Sequence, residues 1–150
     1  MRTALLLVAA LAGCDSRCPP AENGMSSCTS EPTQHMPYVP NSFSLFVSNQ
    51  SFELSPVDMS IQVDNQLAVS GDFEVGSQHT WLRFELGLSA GQHQIRVTTR
   101  DLSDVVLDQP FQMDDRKYGI VMFWYYPDGS TEPTPPQFSF SVQDDEPAFD

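Results

Sequence analysis

Between residues 42 and 143, apolar and polar side chains alternate with a period of two, the spacing that places every second residue on one face of a β-strand. Phe43, Leu45 and Val47 alternate with Ser44, Phe46 and Ser48, while Met59, Ile61 and Val63 alternate with Ser60 and Gln62. The same period recurs at Leu67/Val69, Phe73/Val75, Leu82/Phe84/Leu86, Ile95/Val97, Val105/Leu107, Phe111/Met113 and Phe138/Phe140/Val142. No stretch sustains a helical period. Residues 118–126 are apolar in both registers (Tyr-Gly-Ile-Val-Met-Phe-Trp-Tyr-Tyr). That pattern predicts a strand inside its sheet, or one whose outer face is covered.

The breaks carry turn chemistry. Asp64-Asn65-Gln66 and Gly71-Asp72 separate short strands, and Pro127-Asp128-Gly129 leads into a proline-rich loop at 133–136. Leu88-Ser89-Ala90-Gly91-Gln92 links two longer strands, with Gly91 available for positive φ. The segment from Leu86 to Val97, with its Gly91 turn, resembles the hairpin of immunoglobulin-like and fibronectin-like modules. The pattern as a whole predicts an all-β fold, an antiparallel two-sheet sandwich of about seven to nine strands, immunoglobulin-like, behind a disordered N-terminal tether.

Upstream, the apolar run at residues 4–10 follows Arg2 and leads into Leu11-Ala12-Gly13-Cys14. A leucine and two small residues before a cysteine resemble the lipobox of bacterial lipoproteins. The resemblance implies cleavage before Cys14, acyl chains such as palmitate on that residue, and residence in the bacterial cell envelope, facing the periplasm or the exterior. Two or more chains convert marginal membrane binding into stable attachment. The run itself is too short to span a bilayer, which takes about 20 residues. An ordinary secretory leader is the alternative. The expected organisation is a signal peptide at 1–13, a lipidated Pro/Ser-rich tether at 14–41, the sandwich at 42–143 and an acidic disordered tail at 144–150.

Charge narrows the partners. The chain has 7 Lys+Arg against 20 Asp+Glu, a formal −13. Loss of Arg2 with the leader leaves 6 against 20, or −14. Such a surface repels phosphates, so nucleic acid is not expected as a partner. Lipidation of Cys14 leaves Cys18 and Cys28 as an even pair in an oxidising compartment, which favours a disulfide over two free thiols. The bridge would lie within the tether.

Candidate chemistry is sparse. The rings Phe123, Trp124, Tyr125 and Tyr126 belong about half to the core, and Trp81, on the polar face of its strand beside Arg83 and Glu85, is the better exposed candidate; Trp81, Arg83, Trp124 and Tyr126 form the expected binding surface, with plain packing the alternative. His35, His79 and His93 are scattered and no metal site is expected. Asp114-Asp115 and Asp144-Asp145-Glu146 lack the spacing of a calcium loop. There is no Gly-x-Ser-x-Gly elbow and no phosphate-binding glycine loop, so no catalytic residue is assigned and no cofactor is expected. The chain therefore reads as a membrane-tethered, non-catalytic binding module for an envelope protein or glycan. A structural accessory subunit of an envelope complex is the alternative. An envelope hydrolase built on two carboxylates is a more distant one.

Overall fold

The structure, a computed structural model, describes residues 29–76 and 80–149. Cys14, Cys18, Cys28 and His79 lie outside the described residues. The period-two pattern produces strands β1 (Thr33–Gln34), β2 (Tyr38–Asn49), β3 (Val57–Val63), β4 (Gln66–Phe73), β5 (Leu82–Leu86), β6 (Gly91–Thr98), β7 (Val106–Met113), β8 (Lys117–Tyr126) and β9 (Thr134–Gln143). The described residues form an all-β, sandwich-like pair of sheets, ordered β1-β4-β3-β6-β7 and β5-β2-β8-β9.

The core lies between the sheets and is built from the alternating positions. Met59, Ile61, Val63, Val69, Ile95 and Val97 face Phe43, Leu45, Val47, Leu86, Val121 and Phe123, all fully or almost fully buried. Burying side chains of this size stabilises by about 1.5–3 kcal/mol each. Phe111 of β7 joins the sheets at one edge, stacked on Phe43 at 5.2 Å and edge-on to Phe140 at 5.5 Å. Gly119 lets β8 pass close to this layer, because a Cβ there would lie 2.4 Å from Phe43 Cζ.

Several expectations are corrected. The sandwich is not antiparallel throughout, since β2 and β8 pair in parallel, with Leu45 opposite Gly119 and Val47 opposite Val121. Turn signals constrain only strands that follow one another in the chain, and β2 and β8 are separated by five other strands. Residues 86–97 are not a hairpin. Leu86 pairs with Phe43 in one sheet and His93 with Phe111 in the other, so the intervening loop arches between sheets. Alternation reveals that a strand has a buried face but not which sheet supplies it. Gly71-Asp72 does not break a strand either. β4 runs through it, and Gly71, at φ +148°, gives room for Glu31 and Pro32 to pass.

The ordered fold also extends beyond the expected limits. β1 pairs with β4, and β2 starts at Tyr38, both within the segment whose proline content suggests a tether. Prolines are accommodated there because β1 is at a sheet edge and β2 shifts register between Tyr38 and Phe43. For the same reason Pro110 fits in β7, and Pro135 and Pro136 fit in β9 where a loop was expected: both strands are edges. Residues 144–149 do not hang free but return across the outer face of the four-stranded sheet, where Phe149 stacks on Trp81.

Candidate functional site

Alternation along β8 separates its aromatic run into two faces. Phe123 is fully buried and Tyr125 packs on the core, which turns Trp124 and Tyr126 outward. Opposite them on β9 stand Gln137, paired with Trp124, and Thr134, paired with Tyr126, with a register shift between the two pairs. The β8–β9 connection turns at residues 127–130, where the Ser130 amide donates to the Pro127 carbonyl (3.1 Å) and Gly129 adopts φ +100°. The loop beyond that turn forms a wall of Ser130, Thr131 and Glu132. Together these elements enclose a surface groove of about 820 Å³.

Both aromatic side chains are fixed by their polar ends. Trp124 Nε1 donates to Ser139 Oγ (3.1 Å), and the Tyr126 hydroxyl donates to the Gln50 carbonyl (3.1 Å). The Gln50 carbonyl is itself held by a buried polar network at the end of β2. Asn49 Nδ2 donates to the carbonyls of Leu54 (2.7 Å) and Phe73 (3.1 Å), Asn49 Oδ1 accepts from the Ser51 amide, and the Gln50 amide donates to Phe123 O. Ser51 Oγ donates to Tyr125 O (3.0 Å), which ties the same loop to the strand carrying the rings. Satisfied buried networks of this kind give a segment one conformation. Sequence reasoning missed this support. Its signal is the polar run Ser48-Asn49-Gln50-Ser51 directly after a fully apolar strand face.

With their polar ends bonded within the protein, Trp124 and Tyr126 line the groove with rings whose centroids are 6.4 Å apart and tilted by 45°. Among the described residues the fringe consists of hydroxyls, the Gln137 amide and a single carboxylate, Glu132, and no cation lines the groove. The side chains of Thr131, Glu132 and Gln137 make no hydrogen bond among the described residues, which leaves them available to a ligand.

Trp81 and Arg83 do not join this groove. Trp81 precedes β5, and β2 lies between that strand and β8. Its half-buried indole is stacked on Phe149 at 3.9 Å and 13°. Arg83 Nη1 donates to Glu146 Oε1 (2.6 Å), its Nε donates to Glu85 Oε1 (2.6 Å), its Nη2 donates to Ser44 Oγ (3.2 Å), and its guanidinium lies over the Phe46 ring. The four expected binding residues thus occupy two places, an open groove and a face covered by residues 144–149.

No protein family, curated protein or solved structure matches this chain.

The histidines stand apart. His35, exposed, meets Ser70 Oγ at 2.8 Å. His93 is buried, with Nδ1 2.6 Å from Asp64 Oδ2 and Nε2 2.9 Å from the Ser89 carbonyl. Two acceptors on one imidazole call for both N–H groups, that is, the cation. Burial alone would lower the His93 pKa, but the Asp64 hydrogen bond, the Ser89 carbonyl and the Asp64 charge outweigh it and hold it above the ordinary value. Burial likewise works to raise Asp64, and the His93 and Gln94 hydrogen bonds overcome it and hold the carboxyl low. Asp64 and Asn65, in the β3–β4 turn, both adopt positive φ (51° and 63°), and the Asp64 carboxylate ties that turn to β6. Among the described residues, no group of His, Cys, Asp and Glu could hold a metal ion.

A pH dependence follows. A raised histidine contributes stability in full below its unfolded pKa, about 6.5, and loses it as pH rises through the folded value. The depressed Asp64 acts at the other end, losing its contribution as pH falls below about 3.9. With Asp64 half exposed, the pair is expected to be worth roughly 1 kcal/mol. The gap in melting temperature between wild type and His93→Gln should therefore narrow from pH 6 to pH 9. A gap that stays constant over that range would show that the charge contributes nothing.

Proposed function

We propose that this chain is a lipid-anchored lipoprotein of the bacterial cell envelope, held through Cys14, whose immunoglobulin-like sandwich is a non-catalytic binding module, and that the Trp124–Tyr126 groove takes a glycan. The observation that carries the ligand is the pair of immobilised rings with their polar ends satisfied internally. A sugar ring presents an apolar face of C–H groups and a rim of hydroxyls. The first complements an aromatic face and the second the hydroxyl, amide and carboxylate fringe. A lone carboxylate without a cation favours an uncharged or amino sugar over an acidic one. The chain crosses between sheets at β1–β2, β2–β3, β4–β5, β5–β6 and β7–β8, which supports the immunoglobulin-like reading of the sandwich.

The competing roles draw less support. Docking by strand addition needs a long unpaired edge, but β7 and β9 carry prolines, β1 has two residues and the proline-free edge β5 only five. A glycoside hydrolase needs two carboxylates, and Glu132 is alone in the groove.

The test uses the full chain in two arms. Wild type should partition with membranes and Cys14→Ser with the soluble fraction; equal partition removes the anchor from the proposal. On immobilised neutral and N-acetylhexosamine oligosaccharides, Trp124→Ala should weaken retention by about tenfold, or roughly 1.4 kcal/mol, at an unchanged melting temperature. Retention independent of Trp124 would dismiss the groove as the glycan site.

A further inference from the structure

The outer face of the four-stranded sheet is covered in an unusual way. Phe46 and Ile120 point away from the core by alternation yet are nearly inaccessible, at 7% and 9% exposure. After β9, residues 144–149 cross this face. Asp144 pairs with Lys117, Glu146 with Arg83, and the Phe149 ring stacks on Trp81 and meets Phe46 edge-on at 5.3 Å.

These contacts are made by side chains. Among the described residues no backbone–backbone hydrogen bond joins residues 144–149 to the sheet, in contrast to every strand beneath them, and the Asp145 carbonyl accepts only from the Gln143 side chain (2.8 Å). A segment without backbone–backbone bonds to its sheet can leave without breaking a ladder, which puts it at the low-stability end of the molecule. The face under it is already built. Glu85 and Ser44 hold the Arg83 guanidinium over Phe46 whether or not Glu146 is present. Removing the segment would leave aromatic rings rimmed by cations, the composition of an interaction hot spot. The charge is also local. Of the five Lys and Arg side chains among the described residues, Arg83 and Lys117 pair with this segment, and Arg116 lies next to Lys117 over the outward ring of Tyr118, in a chain that is otherwise strongly acidic.

We propose that the Phe46–Trp81–Arg83 face is a second recognition site, for an extended acidic segment of a partner protein that carries a carboxylate and, three residues further on, an aromatic ring, and that residues 144–149 occupy this site until the partner displaces them. Glu146 and Phe149 show the spacing that fits: the carboxylate reaches Arg83 while the ring reaches Trp81. The proposal deepens the reading of the chain as a binding module, but uses a face separate from the groove. Because a short linker gives an internal occupant an effective concentration of millimolar order, a partner must bind the bare face well to compete. The resting protein is thereby kept from associating through an exposed aromatic patch.

The test measures anisotropy of a labelled synthetic peptide with the sequence of residues 144–150, titrated into the full wild-type chain and into Phe149→Ala. Phe149→Ala should bind saturably and about tenfold or more tightly than wild type. Adding Arg83→Gln, or replacing the peptide's phenylalanine by alanine, should cost about tenfold. Equal binding to both chains, or no saturation at millimolar peptide, would overturn the proposal. So would loss of the cooperative melt in Phe149→Ala, because the segment would then be part of the folding unit. Wild-type dimers in sedimentation that dissolve in Phe149→Ala would assign the face to a second copy instead. Oligosaccharide retention through Trp124 is unaffected by each of these outcomes, so the two sites fail or stand separately.

Discussion

Ile61→Asp is expected to abolish the folded state, while Gln62→Asp, one residue along, leaves it intact. Ile61 is fully buried in the middle of β3, between β4 and β6, with Val69 and Val97 as its strand partners. Replacing it removes a large apolar side chain, a loss of about 2–5 kcal/mol, and places a carboxylate in the core with no cation to receive it, which costs several kcal/mol more. A domain of this size has about 5–15 kcal/mol in total, so the sum consumes most or all of it. Gln62 sits on the opposite face of the strand, half-buried and opposite Arg96. A surface substitution there should stay within about 0.5 kcal/mol. Circular-dichroism melts of the two variants decide the matter. Superimposable curves would contradict the assigned faces of β3.

The second large effect is expected at Gly71. Its Cβ would lie 2.6 Å from Pro32 Cα and 2.8 Å from the Glu31 carbonyl oxygen, both backbone atoms that cannot rotate away. Its φ of +148° adds strain for any L side chain, about 1–3 kcal/mol, and the overlap adds a comparable amount. Gly71→Ala should therefore lower stability by about 2–4 kcal/mol, or the melting temperature by roughly 10 °C or more. Gly91 provides the control. It also has positive φ, +140°, but a Cβ there meets nothing within 4 Å. Gly91→Ala should suffer the backbone strain alone. Equal losses at the two positions would show that residues 31–32 are not packed against β4, and that the edge strand β1 contributes nothing.

The alternation of Phe43/Leu45/Val47, Met59/Ile61/Val63 and Ile95/Val97 was enough to foresee an all-β chain with a buried face on each strand, because burial in a sheet has only one period. The same rule, applied to residues 118–126, foresaw a central strand or one whose outer face is covered; β8 lies between β2 and β9, and its outward Ile120 is buried, as is Phe46 on the neighbouring β2, which Phe149 meets. What the period could not carry was the identity of each strand's partner. Leu86 and His93 are close in the chain, and only the packing of two sheets decided that the loop between them should arch across rather than fold into a hairpin. The parallel β2–β8 pair is likewise a product of assembly, since no local turn connects those strands.

Composition misled at both ends of the domain for a related reason. Proline and acidic residues make a segment unable to fold alone, but not unable to dock on a sheet that already exists. Pro32 rests on Gly71, and Phe149, a single aromatic ring at the end of an acidic stretch, finds Trp81 from far away in the chain. The sequence by itself determined the period of burial, and hence the strands and most of the core. The tertiary structure alone decided which strands meet, which aromatic residues stand open and which are covered, because those depend on contacts between residues whose separation along the chain carries no signal.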